Sequence, residues 1–342
     1  MLALNIRERI EHNEETLLIP EARHSKDSKG RERPEPLDDF RTCYMIDRDR
    51  IIHSKSFRRL KHKTQVYIRS AGDHYRTRLT HTLEVSQIAR TIARGLGLNE
   101  DLVEAITLGH DIGHVAFAHN GEEALDGLLP GGFRHYEQSA RVLKRLEKDG
   151  KGLNLTEEVL EGILKHSGFS RESQTTSLEA QISRMSDKIA YVNHDIDDSI
   201  RAGMLREEDI PEEFFEVLGM THSKRIDTLV RDVVHATRDN LDRGIPEAAM
   251  SESVGEALRG LRSFMFEHVY LGEAQNRERD KAIFIVSSLF KYYMAHAEEL
   301  PSFNRQIAKE EGLERAVADY IAGMTDDFAT KTFEKTFIPG FT

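Results

Sequence analysis

The chemistry open to this chain is set first by four side chains: the doublet His110-Asp111, with His81 upstream of it and Asp187 downstream. Two imidazoles and two carboxylates can hold one divalent cation and leave coordination positions for water and a phosphate oxygen. A mixed nitrogen and oxygen set of this kind suits Mn²⁺, Mg²⁺ or Fe²⁺ better than a tetrahedral structural zinc. Taken singly, each of the four reads as a buried, satisfied histidine or a capping aspartate. Taken together they are costly as core material, because unpaired carboxylates on inward faces must be desolvated.

A second group follows at once. His114 and His119 stand just past the doublet, after Gly113, with Glu122 three residues beyond His119 and His135 after a Gly-Pro break. Imidazoles interleaved with a carboxylate suit acid–base phosphoryl chemistry: one ring gives a proton to the leaving oxygen, a carboxylate orients it and another ring manages water. Arg48, Arg50, Lys55, Arg58, Arg59, Lys61 and Lys63 crowd one stretch, and Arg69, Arg76 and Arg78 follow. A solvated face explains such a run about half the time. A basic run leading into a metal motif fits a polyanionic ligand, since a phosphate chain needs several fixed cations.

The elements that must position these groups read as helices, and the class is all-α. Leu79, Leu83, Ile88, Ile92 and Leu96 recur at helical intervals up to Gly95-Leu96-Gly97, and Asn99 caps a second helix that reaches His110. Thr156 opens another, closed at Gly168, and 178–200 forms one long helix bearing Asp187. Further patterns cover 221–241, 254–271 and 280–300. Residues 24–40 read as a polar loop, 127–135 as a break and 167–177 as a polar connector, with room for one short β-hairpin around 65–69. The expected division is an N-terminal arm and polar loop over 1–40 and a single domain over 41–342, its core at about 60–200 and added helices at about 205–342. Antiparallel helices would bring His81, His110, Asp111 and Asp187 together inside the bundle.

Composition narrows the class. The chain has 342 residues, enough for one large domain or two ordinary ones, and 39% hydrophobic content. A net charge of −11 argues against general nucleic-acid coating. No run approaches the ~18 apolar residues that span a bilayer, and the single Cys43 fits a reducing compartment. A cytoplasmic protein with no membrane partner is the expectation.

Seven stretches carry a resemblance: RDRIIHSKSFRRLKHKTQVY (48–67), TRLTHTLEVSQIARTIA (77–93), GHDIGHVAFAHNGE (109–122), FRHYEQSARVL (133–143), GILKHSG (162–168), SLEAQISRMSDKIAYVNHDIDD (177–198) and DYIAGMTDDFA (319–329). In type and order they resemble the bacterial dGTPase-like branch of the HD-domain deoxynucleoside triphosphate triphosphohydrolases. The resemblance implies an HD-type helical bundle with additional helices, one divalent ion per site, and cleavage of a dNTP, dGTP first, into deoxynucleoside and inorganic tripolyphosphate. By position, His81, His110, Asp111 and Asp187 resemble the metal ligands. His119 and Glu122 resemble the catalytic pair, His135 the third member of the relay and His114 a phosphate contact. Arg78 and Lys188 resemble triphosphate clamps, while Gln65, Tyr191 and Asp195 resemble the groups that read the sugar. The helix spacing agrees, since 187, 188, 191 and 195 share one broad face. The resemblance also implies a homo-oligomer, often a hexamer, and leaves open an effector, a nucleotide or single-stranded DNA.

One departure stands out. Relatives of this kind read His-Asp-x-Gly-His-x-Pro-Phe-Gly-His, whereas Val115-Ala116-Phe117-Ala118 fills that loop here. Losing a proline and a glycine predicts a loop shaped or tethered differently. Two other readings compete: another HD phosphohydrolase (a 5′-deoxynucleotidase, a cyclic-nucleotide phosphodiesterase or an alarmone hydrolase), or a nucleotide or single-strand sensor without turnover. A pure binder has no use for His119 and Glu122.

Overall fold

The computed structural model describes residues 4–65, 76–167, 177–270 and 273–340. Among these residues the fold is all-α, with no strand; only two isolated bridges occur, Arg31 with Thr156 and Thr64 with Thr77. The predicted hairpin at 65–69 and the helix stop at Gly168 fall outside the described residues, as does most of the 167–177 connector.

The chain opens with α1 (Ile6–Leu17), α2 (Cys43–Ile52) and α3 (Lys55–Arg59), then enters the site-bearing helices α4 (Arg78–Leu96), α5 (Glu100–Gly109), α6 (Ala118–Leu128), α7 (His135–Arg141), α8 (Glu157–Leu164) and α9 (Leu178–Arg201). It continues through α10 (Glu212–Leu218), α11 (His222–Asp242), α12 (Glu252–Met265), α13 (Glu273–Ala295), α14 (Ser302–Glu311), α15 (Leu313–Ala322) and α16 (Asp326–Phe337). The 254–271 pattern ends its α-helix at Met265 and runs on as a π turn over Phe266–Tyr270. The N-terminal arm holds a helix that its charge had obscured. Its Glu14 is buried, accepting from Ser25 and from Asn99 at the start of α5, so the arm is fastened to the body.

Local signals fix the helices around the site. Thr77 and Thr80 form a reciprocal cap at the start of α4, and Gly97 ends it in the left-handed region at φ 76°. Asn99 then caps α5 through the Leu102 amide. Val85, Ile88, Ile92 and Leu96 are the buried stripe of α4, and they meet Ile182, Ile189 and Val192 of α9. Leu83, on the stripe read from sequence, faces outward at 51% exposure. Each fully buried side chain of this kind contributes roughly 1.5–3 kcal/mol, which holds α4 against α9 in one register. A second core joins α2, α5 and α8, and a third packs α6 against α13 and α15. The site lies where the three meet.

Candidate active site

The four predicted ligands converge from three helices. His81 lies one turn into α4, His110 and Asp111 end α5, and Asp187 lies in the first half of α9. His81 Nε2 is 3.1 Å from Asp187 Oδ1, and His110 Nε2 is 3.6 Å from the same oxygen and 3.4 Å from Asp111 Oδ1. Both histidines are held by a partner at Nδ1. His110 Nδ1 donates to the Thr107 carbonyl at 2.6 Å, which leaves Nε2 as a buried lone pair without a hydrogen-bond partner. His81 Nδ1 meets His194 Nδ1 at 3.4 Å, and His194 Nε2 meets Glu84 at 3.2 Å. His194 thus grips His81 at Nδ1 and turns Nε2 toward Asp187, the point where a cation would be held between the two.

The electrostatics fit a cation. Burial works against a charged His110, yet Asp111 and then Asp187 lift its pKa to about 9. Asp111 and Asp187 stay ionised against burial, Asp111 through Arg78 and the neighbouring histidines, Asp187 through His110 and His81. The cluster therefore demands positive charge at the point that the two Nε2 atoms and the two carboxylates face. A divalent ion meets that demand, and His81, His110 and Asp111 place ligand atoms close enough to share one.

A relay group stands beside it. Glu122 accepts from the His135 backbone amide at 2.8 Å and its Nδ1 at 3.0 Å, and lies 3.7 Å from His119 Nδ1. Burial raises the Glu122 carboxyl, but the nearby His119 and the hydrogen-bonded His135 overcome it and hold the group far below its ordinary range. His114 stacks on His135 at 3.9 Å and donates toward Asp111 at 3.0 Å, while its other nitrogen is buried without a partner. Burial, then Arg78 and His135, keeps His114 neutral. Gly113 makes this packing possible, because a Cβ there would sit 2.2 Å from the Ser139 amide and 2.4 Å from the His135 carbonyl.

The altered loop leads into His119 by an unusual path. Phe117 and Ala118 have φ of 64° and 58°, so the turn is left-handed although neither residue is glycine. Each such residue costs about 1–2 kcal/mol through crowding of its Cβ. Two such residues in succession leave the turn strained.

A cleft of about 400 Å³ opens over both groups. Lys188, Tyr191 and Asp195 line it from one face of α9, and Gln65 lines it too, its side-chain oxygen buried without a hydrogen-bond partner among the described residues. Burial, with Arg184 nearby, lowers Lys188 to about 8 and burial raises Tyr191 to about 12. Arg78 also faces the cleft but is 1% exposed and paired with Asp111 at 2.8 Å. Among the lining residues that the sequence left without a role are one histidine and two arginines. His166 repeats the His110 arrangement, its Nδ1 donating to the Ile163 carbonyl at 2.6 Å; from sequence it reads equally as a helix-end residue. Arg262 of α12 reaches Tyr191, and Arg279 of α13 pairs with Glu123 at the rim. His194 was missed too, though its signal exists: it falls seven residues after Asp187 on the same helix.

Comparison with known proteins now decides the family. An HD domain matches residues 78–192, and a phosphohydrolase-associated domain matches residues 248–335. The chain is 58% identical over 339 residues to a deoxyguanosinetriphosphate triphosphohydrolase-like protein of Clostridium perfringens, covering 99% of each. A protein of the same description from Clostridium tetani is 57% identical, covering 98% of this chain and 97% of its own. The chain belongs to this dGTPase-like HD family. It is thus an HD phosphohydrolase, and the segments matched by the two domains build most of the cleft: α4 to α9 supply the candidate ligands and relay, and α12 and α13 supply Arg262 and Arg279. No helix among the described residues is long and apolar enough to cross a membrane.

Proposed function

We propose that this protein hydrolyses deoxynucleoside triphosphates, dGTP first among them, at the α-phosphorus to give deoxynucleoside and inorganic tripolyphosphate. The observation that carries the reading is the joint presence of a preset ligand cluster and an acid–base relay in one cleft whose far wall bears Lys188, Arg262 and Tyr191. The description shared by the relatives points to the same substrate class.

On this reading His81, His110, Asp111 and Asp187 hold one divalent ion. When bound, that ion supplies a more acidic water and withdraws charge from phosphoryl oxygens. His119 gives its proton to the 5′-oxygen of the departing nucleoside, and Glu122 orients the ring. His135 shares the carboxylate and keeps Glu122 in place. His114, neutral and buried, offers the α-phosphate a contact while bracing Asp111. Lys188 provides positive charge along the polyphosphate, and Arg78 serves it from behind Asp111. Gln65 and Asp195 take the sugar hydroxyl, and Tyr191 closes the wall where a 2′-hydroxyl would stand. Residues 41–342 act as one catalytic domain, with the arm over 1–40 packed on it.

The test is a panel of the four dNTPs, GTP and dGMP with Mn²⁺ or Mg²⁺, the products resolved by phosphate chain length. Tripolyphosphate from a dNTP, and little from GTP, is the expected result. Orthophosphate from dGMP alone would move the protein to the monophosphate hydrolases, and dNTP binding without any product would make it a sensor.

A further inference from the structure

His119 enters the cleft from a turn that its own residues disfavour. Phe117 and Ala118 are consecutive side-chain-bearing residues at positive φ. Such a conformation persists only where the surroundings over-determine it. Here the restraint comes from 209 positions away in sequence. Asp326, the first residue of α16, accepts the Phe117 amide on Oδ1 at 3.0 Å. Its Oδ2 accepts the Thr64 amide at 3.0 Å and the Thr64 hydroxyl. A second tie runs alongside: Lys63 is 2% exposed and donates to the His114 carbonyl and, at 2.9 Å, to the Ala322 carbonyl at the end of α15. Two walls of the cleft, the Thr64–Gln65 segment and the 114–119 turn, are thus fastened to one point between α15 and α16. Asp326 does not itself line the cleft.

We propose that Asp326 is a positioning residue, which holds the Phe117–Ala118 turn in its left-handed form and so sets where His119 and Gln65 stand. The inference rests on the reading of His119 as proton donor given above. Both carboxylate oxygens are needed, one for each wall. An asparagine would keep one acceptor and turn an N–H donor toward the other wall. The competing role for an acidic residue at this place is to stabilise the start of α16 through the helix dipole, which would leave the turn indifferent to its loss.

The two roles separate on four proteins: wild type, Asp326→Asn, Asp326→Ala, and Asp326→Ala combined with Ala118→Gly. Amide hydrogen exchange over 115–122 reads the turn without any substrate. A wild-type enzyme with a protected turn and no dNTP turnover would therefore count against the substrate reading and leave this inference standing. In Asp326→Ala, exchange at Phe117 is expected to rise about tenfold or more as the opened turn gains population. With the dNTP that the wild type cleaves fastest, kcat should fall about tenfold while KM and bound Mn²⁺ stay within about twofold, since the proton donor alone is misplaced. Adding Ala118→Gly should return at least about a third of the lost kcat, because glycine adopts positive φ without a Cβ penalty. Should Asp326→Ala not fold, Asp326→Asn carries the same comparison at smaller amplitude. Unchanged exchange over 115–119 would overturn the proposal. So would a loss of kcat that tracks thermal stability and is not relieved by the glycine.

Discussion

The two halves of the cleft are built in opposite ways. On the ligand side, His81 and His110 are almost wholly buried, and each has one ring nitrogen fixed by a partner so that the other faces the cleft. On the relay side, the His119 side chain is 76% exposed, stands 3.7 Å from Glu122 and hangs from a strained turn. The first half is set by helix packing before any ligand arrives. The second keeps reach at the cost of precision, as expected of a proton donor whose hydrogen bonds tighten around substrate.

The largest effects should come from breaking the rigid half. Asp111→Ala removes a ligand and strands buried Arg78, so bound metal and turnover should both vanish, with about 3 kcal/mol or more of stability lost to the unpaired charge. Metal content after gel filtration, turnover and chemical denaturation read the three together. Retained metal with normal turnover would remove Asp111 from the ligand set. His119→Ala attacks the other half. It should slow kcat by about 10²-fold while metal and nucleotide remain bound. If metal were lost as well, the two halves would not be separable.

Much of the rigid half was legible in the sequence, because its determinants are local. The Gly97 stop, the Asn99 cap and the helix spacing of 187, 188, 191 and 195 all appear in the structure at those residues. The relay side was legible in its residue types but not in its support. Nothing near His119 in sequence announces Asp326 or Lys63, whose bonds to the turn exist only after α15 and α16 pack beside it. Arg262 was hidden for the same reason: its role in the cleft depends on α12 lying across α9, and no local spacing encodes that. Nor do the residue types of Phe117 and Ala118 announce a left-handed turn, which the fold nonetheless holds with alanine at its second position.

A milder change tests how far the rigidity of the ligand side depends on its outer partners. His194 touches no proposed substrate group, yet it meets His81 at Nδ1 and lies 3.2 Å from Glu84 on its other side. His194→Ala should weaken Mn²⁺ binding by about 10–100-fold, the usual cost of removing such a partner. Isothermal titration with the metal alone measures it, and kcat at saturating metal should recover most of its value. An unchanged affinity would mean that packing, and not the His194–Glu84 chain, fixes the His81 ring.

The smallest effect concerns the anchor on the relay side. Burial, followed by the nearby charges of Arg78 and Arg59, pushes Lys63 down to about 7, against the weaker pull of Asp326 and Asp111. A neutral amine still carries the two N–H bonds that the His114 and Ala322 carbonyls require. The unfolded chain therefore binds this proton more tightly than the folded one. Its contribution to stability is fully present above the unfolded value near 10.5 and is lost as pH falls toward 7. Between those limits stability should rise with pH, by at most about 1.4 kcal/mol per unit. Lys63→Met should flatten that slope in denaturation curves between pH 7 and 9 even though it lowers stability at every pH. A slope that survives the substitution would assign it to other groups and leave Lys63 charged as it bridges the turn to α15.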